Sequence, residues 1–129
     1  MKLKVMAWCV LIGLAGCTSY DPVLVGKWQG ERSAAPGCQY LAWTTIMKPN
    51  GNFGTVFFQD AARSNPIRKR GGYWVSRKDL VLFDAVGAKK YNTYRYQVID
   101  ADTVQFTTMT PQDATGCRLS VYTDHRVRG

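Results

Sequence analysis

A catalytic site needs a nucleophile, a base or a metal set at workable spacing, and the residue types for one are thinly spread along this chain. His125 is the lone histidine and stands near the C-terminus with Arg126 and Arg128; in that setting it reads as a solvated residue rather than a general base. The carboxylates Glu31, Asp60, Asp79, Asp84, Asp100, Asp102, Asp113 and Asp124 are scattered, with Asp21 near the N-terminus. Asp100 and Asp102 lie two apart, a spacing that suits turn residues bonding to local amides. No Ser/His/Asp or metal-ligand set assembles from these positions, and Gly71-Gly72 lacks the strand–loop–helix setting of a phosphate loop. The chain therefore reads as a non-enzyme that needs no cofactor and no metal. A basic cluster, Arg63, Arg68, Lys69 and Arg70, lies in "ARSNPIRKRGG", read as the longest loop, with Lys89 and Lys90 as a second basic tip. These are either solvated loop charges or a docking surface for an anionic partner, because guanidinium forks grip carboxylate and phosphate. Aromatics are abundant, among them Trp28, Trp43, Tyr73, Trp74, Tyr91, Tyr94 and Tyr96; inward rings at alternate positions serve either as core or as the walls of a ligand box.

The elements that must position these groups follow a period of two, broken by turns at intervals near ten residues, with almost no helical periodicity. Strands are expected at Val25 to Arg32, Gln39 to Lys48, Phe53 to Gln59, Gly72 to Arg77, Asp79 to Asp84, Tyr91 to Ile99, Thr103 to Met109 and Cys117 to Thr123. Pro49-Asn50-Gly51-Asn52 and Asp100-Ala101-Asp102 supply turns. Alternation predicts Leu41, Trp43, Thr45 and Met47 on one face, Tyr94, Tyr96 and Val98 on another, Val104 and Phe106 inward, and Cys117, Leu119 and Val121 together. Eight strands with short connections predict an all-β, eight-stranded antiparallel up-and-down barrel. Such a barrel is just wide enough to be filled by side chains or to hold one small ligand. A two-sheet sandwich produces nearly the same pattern.

The N-terminus carries a separate signal. Lys2 and Lys4 precede a short apolar run, Val5 to Ala15, that is too short for a membrane-spanning helix. Its end, Leu14-Ala15-Gly16-Cys17, resembles the lipobox of bacterial lipoproteins. The resemblance implies a signal peptide over 1–16, cleavage before Cys17, and acylation of that residue with chains such as palmitate. It further implies a lipidated tether over 17–24 and a domain over 25–125. Thr18, where an aspartate would retain the protein in the inner membrane, implies the periplasmic face of the outer membrane. Loss of Lys2 and Lys4 would lower the net charge from +8 to +6. In that compartment a basic surface meets anionic lipid, lipopolysaccharide, peptidoglycan or acidic protein rather than nucleic acid. With Cys9 discarded and Cys17 lipidated, Cys38 and Cys117 remain in an oxidising space and read as one disulfide. The alternatives, a metal pair or a reactive thiol, lack a second Cys or His at ligand spacing. A bridge closing about 80 residues contributes on the order of 4 kcal/mol in the chain-entropy model.

Gly26-Lys27-Trp28 resembles the Gly-x-Trp signature near the first strand of lipocalins and related calycin barrels. The rhythm of "MKPNGNF", "GGYWVSRKDLVLF" and "YRYQVIDADTVQF" is similar to that of small lipocalin-like lipoproteins. The resemblance implies a tryptophan plugging the closed end of the barrel, a glycine packed tightly beside it, and a binding module rather than an enzyme. Together with the strand count and the aromatic-rich interior, it leads to the expectation of a small amphipathic ligand or envelope component, with Trp43, Tyr94, Tyr96 and Phe106 as interior contacts. Related small periplasmic barrels inhibit lysozymes or proteases, so the alternative is an envelope inhibitor or immunity-type protein docking through Arg63, Arg68, Lys69 and Arg70.

Overall fold

A computed structural model describes residues 20–111 and 117–128. Eight antiparallel strands form one closed barrel in chain order. They are β1 (Gly26–Glu31), β2 (Ala42–Met47), β3 (Asn52–Phe58), β4 (Pro66–Arg77), β5 (Leu80–Ala85), β6 (Asn92–Asp100), β7 (Thr103–Thr108) and β8 (Val121–Arg126). Each strand pairs with its sequence neighbour, and β1 closes on β8 through Trp28 opposite Arg126 and Gln29 opposite His125. Closure removes the exposed edges that an open sheet would carry. The all-β barrel expected from the alternation is therefore the architecture found, and it is compatible with the lipocalin resemblance. The lipobox and Cys17 lie outside the described residues.

One end of the barrel is packed solid. Leu24, Trp28, Trp74, Val81 and Val104 are its most deeply buried side chains. Trp28 donates its Nε1–H to Leu24 O at 2.9 Å, and Trp74 donates to Lys48 O at 3.0 Å, so neither indole is buried with an unmet donor. The Arg126 guanidinium lies 4.3 Å from the Trp28 ring centroid and donates to Val25 O and Val23 O. Gly26 has φ +138, and a Cβ there would fall 2.6 Å from the Arg126 guanidinium. That contact is the local reason for the glycine of Gly-x-Trp. The segment read as a tether is packed against the barrel from Tyr20 onward. Asp21 caps a 3-10 turn at Pro22–Leu24, and Tyr20 lies 5.2 Å from Trp74, ring to ring.

Three expectations need correction. The stretch read as a long basic loop is mostly strand: β4 starts at Pro66, and Arg68, Lys69 and Arg70 pair with Phe57, Val56 and Thr55. Proline is tolerated as a first strand residue, and a register shift beside Phe58 disrupts the alternation that would have marked the strand. The last strand begins at Val121 rather than Cys117. Its inner face carries Tyr122, Asp124 and Arg126, whereas Val121 is half exposed. The expected face through Val121 is one residue out of phase with the observed one, and a period of two makes such a slip invert the side chains of a strand. Val98, expected inward with Tyr94 and Tyr96, is exposed near the end of β6, immediately before a second register shift between Val98 and Asp100.

Cys38 and Cys117 form the expected disulfide, with their Cα atoms 4.8 Å apart. It staples the β1–β2 connection to the segment preceding β8. Tyr40 adds to the staple by donating its hydroxyl to Cys117 O at 2.6 Å, and Arg32 donates to the same carbonyl.

Candidate functional site

Above the packed end the barrel opens into a cavity of about 590 Å³, within the range of sites that enclose a small ligand. Inward positions of seven strands, β2 to β8, supply most of its wall, because alternate residues of each strand face the interior. Phe53, Phe83, Tyr94, Tyr122, Trp43, Tyr40 and Phe57 follow one another as a chain of ring contacts, with centroid separations of 4.8 to 6.0 Å. Most of these meet edge to face, the arrangement favoured by the ring quadrupole. Phe106 stacks on Tyr122 at 5.1 Å. The disulfide-stapled segments roof part of the opening with Gly37, Gln39, Tyr40, Cys117, Arg118 and Leu119.

Two features of this lining are polar. Arg68 and Arg70, on alternate positions of β4, face the opening together with Arg118. Asp124, on β8, faces the interior and is almost fully buried. Its Oδ1 accepts a hydrogen bond from Trp43 Nε1 at 2.8 Å, a pairing across 81 positions of sequence. Burial pushes the Asp124 carboxyl up to about 7; the Trp43 bond and the charge of Arg63 offset only part of that cost. Tyr122 and Tyr94 are also held above the ordinary phenol range, chiefly by burial, so both stay neutral donors in the cavity. Gly30 creates the space for the Trp43–Asp124 pair. A Cβ on it would lie 2.4 Å from Asp124 Oδ1 and 2.5 Å from the Trp43 ring.

Of the four residues expected as ligand contacts, Trp43, Tyr94 and Phe106 line the cavity together. Tyr96 does not. It lies at the packed end, where its hydroxyl donates to Asp21 Oδ2 at 2.6 Å or Lys78 O at 2.8 Å. Burial and the neighbouring Asp21 push that phenol upward as well. The basic cluster also divides. Arg68 and Arg70 face the cavity, while Lys69, on the intervening position, is exposed outside its lining. Arg63 braces β1 from outside, bonding Glu31 at 3.2 Å and Gly30 O at 3.1 Å, and does not line the cavity. His125 is an exposed member of β8 rather than part of a tail.

Asp124 is the residue that sequence reasoning passes over, since it counts there among scattered carboxylates. A signal is present nonetheless: aspartate is depleted in strands, and this one alternates with Tyr122 and Arg126. Among the described residues no group of three or more His, Cys, Asp or Glu side chains is placed to hold a metal ion. No family model matches this chain, and no curated protein matches its sequence.

Proposed function

We propose that this protein is a non-enzymatic binding module that holds a small amphipathic ligand inside its barrel. Anchored by lipid at Cys17 to the periplasmic face of the outer membrane, it would take an envelope component or related molecule. The observation that carries this reading is the cavity of about 590 Å³, walled by a continuous belt of aromatic rings and rimmed by Arg68, Arg70 and Arg118. Rings give an apolar body a large contact area at small entropic cost. Arginines at the opening give a carboxylate or phosphate head a place to bond. A core filled to native density would have served stability better, so the open space supports a binding role.

Native mass spectrometry of the protein released gently from its own envelope tests the proposal. An added small mass that is lost on denaturation is the expected result. A bare protein whose tryptophan emission is also unmoved by dodecanoate would refute it. A second reading, docking to an acidic protein, draws on the exposure of Arg68, Lys69 and Arg70 along β4. It predicts a protein-sized addition in the same spectrum, lost when Lys69 is changed to Glu.

A further inference from the structure

The charges that line the cavity are of opposite sign and occupy different places. Arg68 and Arg70 are exposed at the start of β4, while Asp124, the one carboxylate among the described lining residues, is only 4% exposed. Asp124 spends one oxygen on Trp43, and its Oδ2 accepts no hydrogen bond among the described residues. That oxygen is not sealed, since Arg63 Nε is the one fully enclosed side-chain polar atom without a partner among the described residues, so Asp124 Oδ2 is open to a donor entering the cavity.

No described side chain that lines the cavity supplies a donor to Oδ2, and the buried, unpartnered Nε of Arg63 makes no bond to it. Arg63, the cation whose charge Asp124 feels, is held by the Glu31 carboxylate and the Gly30 and Ala61 carbonyls, outside the cavity lining. On the cavity side Asp124 is flanked instead by Trp43 and Tyr122, whose rings meet edge to face at 5.5 Å. Aromatic faces beside a carboxylate suit a cation, because the ring quadrupole and the formal charge attract it together.

Resting on the proposed function of this cavity, we propose that its ligand is zwitterionic, with an ammonium group placed inward on Asp124 Oδ2 and an anionic group outward on Arg68, Arg70 and Arg118. Such a molecule matches the polarity of the cavity, cationic at the opening and anionic within. A simple fatty acid would meet the positive opening and leave Asp124 unpaired. A simple amine would satisfy Asp124 and bring no anion to the opening. Entry of the ammonium also favours the ionised carboxylate that burial alone disfavours.

The test is calorimetric titration of the full-length protein with three probes of equal chain length: dodecanoate, ω-hydroxydodecanoate and ω-aminododecanoate. The amino acid is expected to bind about tenfold more tightly than either other probe, the gain of one charge-assisted hydrogen bond. In Asp124→Asn that ratio should collapse toward one. Asn keeps the side-chain shape and an acceptor for Trp43 but offers no charge. Equal binding of the hydroxy and amino probes would overturn the assignment of charge. Binding of dodecanoate with no preference for the amino acid would overturn the zwitterion while leaving the ligand-holding barrel standing. Failure of all three probes would overturn both. The wild-type ratio decides the matter even if the variant does not fold.

Discussion

Replacing Asp124 by Asn should make the protein less sensitive to pH and more stable at alkaline pH. The folded carboxyl titrates at about 7 because it is buried beside Trp43, whereas in the unfolded chain it returns to about 3.9. The folded pKa is raised, so between these two values the folded state retains a proton that the unfolded state releases. Stability from this group is therefore fully present below about pH 4, declines as pH rises, and levels off above about pH 7. The slope inside the window is about 1.4 kcal/mol per pH unit, so the penalty accumulated between about pH 5 and pH 8 is about 3 kcal/mol. That is a substantial part of the 5–15 kcal/mol typical of a domain. Asp60 and Asp100, which local hydrogen bonds hold below the usual carboxylate range, act in the opposite direction at lower pH. They are common to both proteins and cancel in the comparison. Urea unfolding of wild type and Asp124→Asn at a series of pH values measures the difference directly. The Asn protein should gain about 3 kcal/mol on wild type across that interval. Parallel curves would show that Asp124 is hydrated and ordinarily ionised in the folded state, and would remove the basis for treating it as a buried interior group.

Two substitutions test the remaining geometry. Gly30→Ala forces a Cβ to within 2.5 Å of both Asp124 and Trp43; it should destabilise by about 1–3 kcal/mol, the usual cost of overpacking, and shift tryptophan emission. Unchanged stability would mean that the Trp43–Asp124 pair is not locked in place. Tyr96→Phe removes a hydroxyl that bonds Asp21 and Lys78 at the packed end; a loss of about 1 kcal/mol in urea unfolding is expected. Its dodecanoate affinity should match wild type, and a weakened affinity would return Tyr96 to the cavity wall.

The inward placing of Trp43, Tyr94 and Phe106 is legible in the amino-acid sequence, because inward residues recur with the period of the strand and their neighbours are polar. The packed-end tryptophan is legible for a different reason. Gly26-Lys27-Trp28 is a local pattern, and the glycine is required by a close approach that its spacing advertises. The strand of Arg68 and Arg70 is not legible. Those side chains face a solvent-accessible opening, so their inward positions carry no apolar residue and the strand looks like a charged loop. Asp124 is hidden on similar grounds. An inner face that lines a cavity is free to be polar, and Tyr122, Asp124 and Arg126 do not stand out by hydropathy.

Amino-acid order alone determined what rests on neighbours within a few positions: most of the strands and of their faces, the tight turns and the all-β class. The Cys38–Cys117 bridge was also readable, from the count of cysteines left once the lipobox resemblance had assigned the others. Tertiary structure decided what depends on closing the barrel. Only when β8 returns beside β1 does Asp124 meet Gly30 and the indole of Trp43. Only with that closure does the carboxyl lose its water and acquire a raised affinity for a proton. Burial and electrostatic environment are properties of the whole enclosure, and a local period of two carries no record of them.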